Sequence, residues 1–77
     1  MAVRAYIFVE VTQGKALEIR DRVAVIRGVK EVHSVTGPYD LIARVEGDDI
    51  GMLGEFIVSQ IQNVPGVVRT LTNIIVE

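Results

Sequence analysis

Hydrophobic and polar positions alternate at the start of the chain. From Ala2 to Val11, Val3, Ala5, Ile7, Val9 and Val11 fall on one side, and Arg4, Tyr6, Phe8 and Glu10 on the other. A period of two predicts a strand. Its second side is not simply polar, because Tyr6 and Phe8 are large and apolar. A sheet face carrying such residues is usually covered. After Thr12-Gln13-Gly14 the spacing changes. Ala16, Ile19, Val23 and Ile26 recur at helical steps, with Leu17 and Ala24 widening the stripe. A helix is predicted over Lys15 to Arg27, stopped by Gly28.

Val29 to Val35 reads as a second strand, with Val32 on one side and Glu31, His33 and Val35 on the other. Asp40 to Glu46 reads as a third, with Leu41, Ala43 and Val45 alternating against Ile42, Arg44 and Glu46. Between them lies Val35-Thr36-Gly37-Pro38-Tyr39-Asp40-Leu41. Gly37 permits a backbone angle other residues avoid and Pro38 restricts φ, so this stretch is predicted to be a rigid hairpin connection. Gly47-Asp48-Asp49 then opens a second helix, and either aspartate can cap it. Ile50, Leu53, Ile57, Ile61 and Val64 form its apolar stripe with Phe56 beside them, and Val64-Pro65-Gly66 ends it. Val67 to Val76 is the last strand, with Val68, Thr70, Thr72, Ile74 and Val76 on one side and Val67, Arg69, Leu71, Asn73 and Ile75 on the other.

The order β-α-β-β-α-β over residues 1–77 predicts a single α+β domain of ferredoxin-like fold, a four-stranded antiparallel sheet with both helices on one face. Each half runs strand, helix, then Gly-Val into a strand: Gly28-Val29 and Gly66-Val67. This points to a duplicated split βαβ unit. The other sheet face stays bare in a monomer, and a second subunit is predicted to cover it.

Composition strengthens that expectation. The chain has 77 residues, 49% of them hydrophobic, and a mean hydropathy of +0.38. A domain this small buries only about 60–65% of the surface its unfolded chain exposes, and such domains often add disulfides, a metal or a partner. There are no cysteines and a single histidine, His33, so oligomerisation is the remaining support. The net charge is −2 with eight scattered basic residues, which argues against direct nucleic-acid binding. No apolar run reaches membrane-spanning length, and the start of the chain lacks the layout of a secretory signal. A cytoplasmic protein is expected.

Catalytic constellations are not apparent. Ser34 and Ser59 lack a nucleophile elbow, His33 lies on a strand, Asp48-Asp49 is explained by helix capping, and the glycines do not form a phosphate loop. No cofactor or metal is expected. Tyr39 and Asp40 at the turn can present a phenol and a carboxylate outward, or can satisfy the turn's own backbone. Thr70 and Thr72, two residues apart, place both hydroxyls on one face, where they can bind a ligand or simply reflect the strand propensity of threonine.

These segments together resemble a known family. Val-x-Ser-Val-Thr-Gly-Pro-Tyr-Asp-Leu-Ile-Ala at the hairpin, Val-Pro-Gly-Val after the second helix and Arg-Thr-x-Thr-x-Ile in the last strand resemble the effector-binding domain of the Lrp/AsnC regulators, the RAM domain. The resemblance implies pairing through the sheets into dimers of αβ-barrel type, rings of dimers, and a small amino-acid effector held between dimers. It assigns Gly37, Tyr39, Asp40, Thr70 and Thr72 to ligand binding, with Asp40 accepting from the effector's ammonium and the threonine hydroxyls donating to its carboxylate. Replacing Asp40 by Ala is then expected to remove binding and leave the fold intact. Because the chain opens on the first strand, a stand-alone domain without its own helix-turn-helix is expected, acting on transcription through co-assembly with full-length regulators. Three alternatives stand beside the leading expectation of a non-enzymatic effector module: a purely structural partner of such regulators, a small dimeric αβ-barrel enzyme, and an ACT-like sensor using Gly14.

Overall fold

Strands and helices follow the order β-α-β-β-α-β in the computed structural model, which describes residues 2–77, largely as the residue periodicity dictates. The elements are β1 (Val3–Val11), α1 (Ala16–Ala24), β2 (Val29–Ser34), β3 (Leu41–Gly47), a π-helical stretch (Met52–Val58) running into α2 (Ser59–Gln62), and β4 (Val67–Ile74). The sheet order is β2-β3-β1-β4, and each neighbouring pair is antiparallel. This is the ferredoxin-like arrangement, with both helices on one face.

The core lies between that face and the helices. Ala5, Ile7, Val9, Leu41, Ala43 and Val45 of the sheet are fully buried against Ile19, Val23, Leu53, Ile57 and Ile61. Every one of these side chains is apolar, and among the described residues no polar or charged residue is buried. Burial of this kind is worth roughly 25 cal/mol per Å² of apolar surface removed from water, and it is what holds a domain with so few polar cross-links.

The two halves close in the same way. Gly28 and Gly66 each follow a helix and each adopt φ of +99°, a conformation that strongly favours glycine. Gly28 O accepts from Glu46 N at 2.8 Å, and Gly66 O accepts from Thr12 N at 2.8 Å. Each glycine also abuts an isoleucine of the opposite half. A Cβ on Gly28 would stand 2.5 Å from Ile57 Cδ1, and one on Gly66 would stand 2.7 Å from Ile19 Cδ1. The repeated Gly-Val step therefore marks a structural duplication.

Several local expectations need correction. Helix α1 ends at Ala24 rather than Arg27, because the chain turns through Val25 to Gly28 to enter β2. Leu17, expected on the apolar stripe, is 59% exposed, and Ala24 is exposed as well. The second helix contains a π-helical stretch and buries Leu53, Ile57 and Ile61, while Ile50 and Phe56 stay exposed. Ile50 precedes the point where the helix meets the sheet, at the close approach of Leu53 to Gly47. In β4 the simple alternation fails at a bulge: Val67 lies opposite Val11 and Arg69 opposite Glu10. The extra residue turns Val67 toward the core and leaves Val68 exposed. Asp49 is the aspartate that caps, its Oδ1 accepting from Met52 N at 2.7 Å.

Candidate functional site

The hairpin loop is tied down by backbone before any side chain acts. Val35 N donates to Asp40 O at 2.9 Å, and Asp40 N donates to Val9 O at 2.9 Å. Gly37 takes φ of +113° with open space where a Cβ would be, so the backbone conformation, not crowding, calls for glycine there. The β1–β3 ladder ends at the Val9–Leu41 pair. Two residues further along β1, the Asp40 carboxylate stands in for the missing carbonyl: Oδ2 accepts from Val11 N at 2.8 Å in a partly buried position. Asp40 thus has a structural task, and an alanine there removes a hydrogen bond from the fold as well as a carboxylate from the loop.

Tyr39 leans onto the sheet face that the helices do not cover. Its ring lies 5.6 Å from the Phe8 ring at an interplanar angle of 48°. The Arg69 guanidinium carbon stands 5.6 Å from the centre of the same ring, and Arg69 reaches Glu10 at 3.1 Å. Phe8, Glu10 and Arg69 alternate with the core-facing residues of β1 and β4, which puts the whole cluster on the open face. That face also carries Tyr6 and Leu71, 40% and 47% exposed, and the half-buried Ile42, which lies across Phe8 from Leu71.

Thr70 and Thr72 lie on the other face. They pair with Val9 and Ile7, whose side chains are buried under the helices. Thr70 Oγ1 accepts from Gln62 Nε2 at 2.9 Å. Within one chain the structure brings Gly37, Tyr39 and Asp40 together at the loop but places the threonine pair on the far side of the sheet. The residue that sequence reasoning passed over is Arg69. Its signal is the position immediately before Thr70, which on a strand means the opposite face.

A second polar cluster occupies the β2–β3 margin of the open face. Arg44 Nε donates to Glu31 Oε2 at 2.8 Å, His33 Nε2 lies 3.1 Å from Glu31 Oε1, and Arg44 also approaches Glu46 at 3.6 Å. The hydrogen bond from Arg44 is the main cause holding the Glu31 carboxyl below its usual range, and Glu31 in turn raises the Arg44 guanidinium. Among the described residues no group of His, Asp or Glu side chains is arranged to hold a metal ion.

Comparison with known proteins identifies the domain. The model of the Lrp/AsnC ligand binding domain matches residues 4–77. The chain belongs to this family. A Thermus thermophilus protein, TTHA0845, has a crystal structure with a TM-score of 0.90 and 31% identity, covering 97% of this chain and 94% of that one. The crystal structure of FFRP-DM1 gives a TM-score of 0.89 and 35% identity, covering 96% and 99%. The Neisseria meningitidis regulator NMB0573, solved as a complex with L-Met, shares the fold at a TM-score of 0.84 and 18% identity, over 97% of this chain and 50% of that one. Among curated sequences, the homocitrate synthase of Sulfurisphaera tokodaii is 41% identical over 56 residues, 73% of this chain. A helix-turn-helix regulator of Pyrococcus horikoshii, itself uncharacterised, is 33% identical over 55 residues, 71% of this chain. The chain spans only 12% of the length of that synthase and 37% of that regulator. This Lrp/AsnC ligand-binding domain therefore corresponds to one segment of those longer proteins.

Proposed function

We propose that this Lrp/AsnC domain is a non-enzymatic module that binds an amino-acid effector and assembles with copies of itself, in the service of transcription regulation. The observation that carries the proposal is the loop Gly37–Asp40, fixed by three hydrogen bonds and presenting Tyr39 at the margin of an uncovered apolar sheet face. A second copy laid on that face would shelter Tyr6, Leu71 and Ile42, which a monomer leaves in water. Gly37, Tyr39 and Asp40 then contribute to a cleft from one side, and Thr70 and Thr72 contribute from a neighbouring copy, since one chain cannot aim both at a single ligand.

The distribution of relatives supports a sensing role. Segments similar to this one occur within a helix-turn-helix regulator and within an enzyme. What such hosts can share is neither DNA binding nor catalysis, and ligand binding with assembly is the property that serves both. This favours a second reading of the host: the same module can regulate an enzyme as readily as a promoter. Co-assembly with full-length regulators is the route by which the domain would reach DNA.

The test is thermal unfolding of the purified protein against the twenty common amino acids, with sedimentation velocity on the same samples. A ligand at a hundred times its dissociation constant adds about 2.7 kcal/mol per site, a shift of several degrees for so small a domain. Such a shift with one or two amino acids, lost in Tyr39→Ala, supports the proposal. No shift in an oligomeric protein favours the purely structural partner.

A further inference from the structure

We propose that His33 makes the sheet-face assembly of this domain sensitive to pH, holding copies together while its imidazole is neutral and loosening them when it is protonated. The inference rests on the self-assembly reading above. Strand pairing arranges the open face in rows. Glu10 lies beside Arg69. The next row runs His33, Ile42, Phe8, Leu71, and the one after it Glu31, Arg44, Tyr6, Asn73. The last places Arg4 beside Glu46. A second copy laid on the apolar row covers its end, and that end is His33.

Charge on these rows is balanced without the histidine. Glu10, Glu31 and Glu46 stand against Arg4, Arg44 and Arg69. Each carboxylate has a cation beside it: Arg69 reaches Glu10 at 3.1 Å, and Arg44 reaches Glu31 at 2.8 Å and Glu46 at 3.6 Å. The groups that face His33 are Glu31 of its own strand, with Oε1 at 3.1 Å from Nε2, and Ile42 and Arg44 of β3. The helices lie on the far side of the sheet. Arg44 first, and His33 second, hold the Glu31 carboxyl below its ordinary range, so it stays ionised while an imidazole titrates. Among these side-chain types only the imidazole ordinarily changes charge between pH 5 and 8.

Protonation of His33 therefore adds one unbalanced positive charge per copy, at the end of the row that assembly dries. Glu31 stands beside His33 with or without a second copy, and Arg44 already draws on its charge. Assembly changes two other things. It removes water from the imidazole, which opposes the charged form. It also brings up the other copy's face, which carries the same excess positive charge. A group whose charged form is disfavoured in the assembly takes up protons on dissociation, so acid favours separate copies.

The experiment is sedimentation velocity over a concentration series for wild type, His33→Gln and His33→Lys, at about pH 7.5 and about pH 5.5, on either side of the imidazole range. Circular dichroism on the same samples checks that each stays folded. The wild-type dissociation constant should rise about tenfold or more in acid, the result of roughly half a unit of change in each of two imidazoles. His33→Gln should associate at both pH values with the dependence gone. His33→Lys, charged at both, should associate weakly at both. A folded His33→Gln that follows the wild-type pH dependence, or a wild type whose association is the same at both pH values, would overturn the inference while leaving self-assembly in place. If wild type does not self-associate at either pH, the self-assembly reading fails and this inference falls with it.

Discussion

Asp40 is the residue at which a structural role and the proposed ligand role meet, and its replacement separates them. Its carboxylate accepts from Val11 N at 2.8 Å in a partly buried position. In Asp40→Ala that amide loses its partner just past the last β1–β3 pair. Hydrogen bonds to charged groups contribute about 1.5–3 kcal/mol. For a domain of this length about 1 kcal/mol moves the unfolding midpoint by roughly 4–8 °C, so a loss of about 2 kcal/mol lowers it by roughly 8–16 °C. Asp40→Asn keeps an acceptor oxygen and should lose less than half as much. Both variants remove the negative charge from the loop, so both should lose an amino-acid ligand alike. The assay is thermal unfolding of wild type and both variants without ligand, at fixed protein concentration because assembly also shifts the midpoint. An Asp40→Ala midpoint within about 2 °C of wild type would refute the claim that this carboxylate stitches the loop to β1.

The glycines at the two helix exits should respond unequally. Gly28→Ala meets backbone as well as side chain, Glu46 O at 2.9 Å and Ile57 Cδ1 at 2.5 Å, whereas Gly66→Ala meets the movable end of Ile19; denaturant titration should show the larger loss for Gly28→Ala, at least the roughly 1–2 kcal/mol of a left-handed alanine. Leu71→Glu, on the open face and 47% exposed, should leave the monomer folded by circular dichroism and lower the mass seen by sedimentation velocity. The Glu31 carboxyl is held below its ordinary value of 4.5 by Arg44 and His33. A depressed carboxyl contributes stability above its unfolded value and loses it as pH falls through the folded one. Glu31→Gln should therefore flatten the acid side of the stability profile below that value and leave the slope near neutrality unchanged.

Much of this domain could be read from residue order because its two faces are chemically different. Strict alternation in Val3–Val11 and Leu41–Gly47 needs one buried face, and helical steps through Ile19, Val23, Leu53, Ile57 and Ile61 need a sheet to lie on. The same local logic puts Gly28-Val29 and Gly66-Val67 at equivalent corners. It is weakest where an element's end depends on what it meets: α1 stops early to reach β2, Ile50 lies before its helix touches the sheet, and one extra residue in β4 reverses Val67 and Val68.

By itself the sequence determined the strand and helix order, the apolar core and the glycines that end both helices, since each follows from a periodicity or a backbone preference carried by neighbouring residues. Only the tertiary structure decided which chemistry meets at the loop. Tyr39, Phe8, Glu10 and Arg69 come from three separate segments, and Asp40 reaches an amide 29 positions away. Thr70 follows Arg69 directly in the chain yet faces the helices. The physical reason is the pleat: adjacent residues of a strand point to opposite faces, so partners are set by pairing across the sheet and not by proximity along the chain.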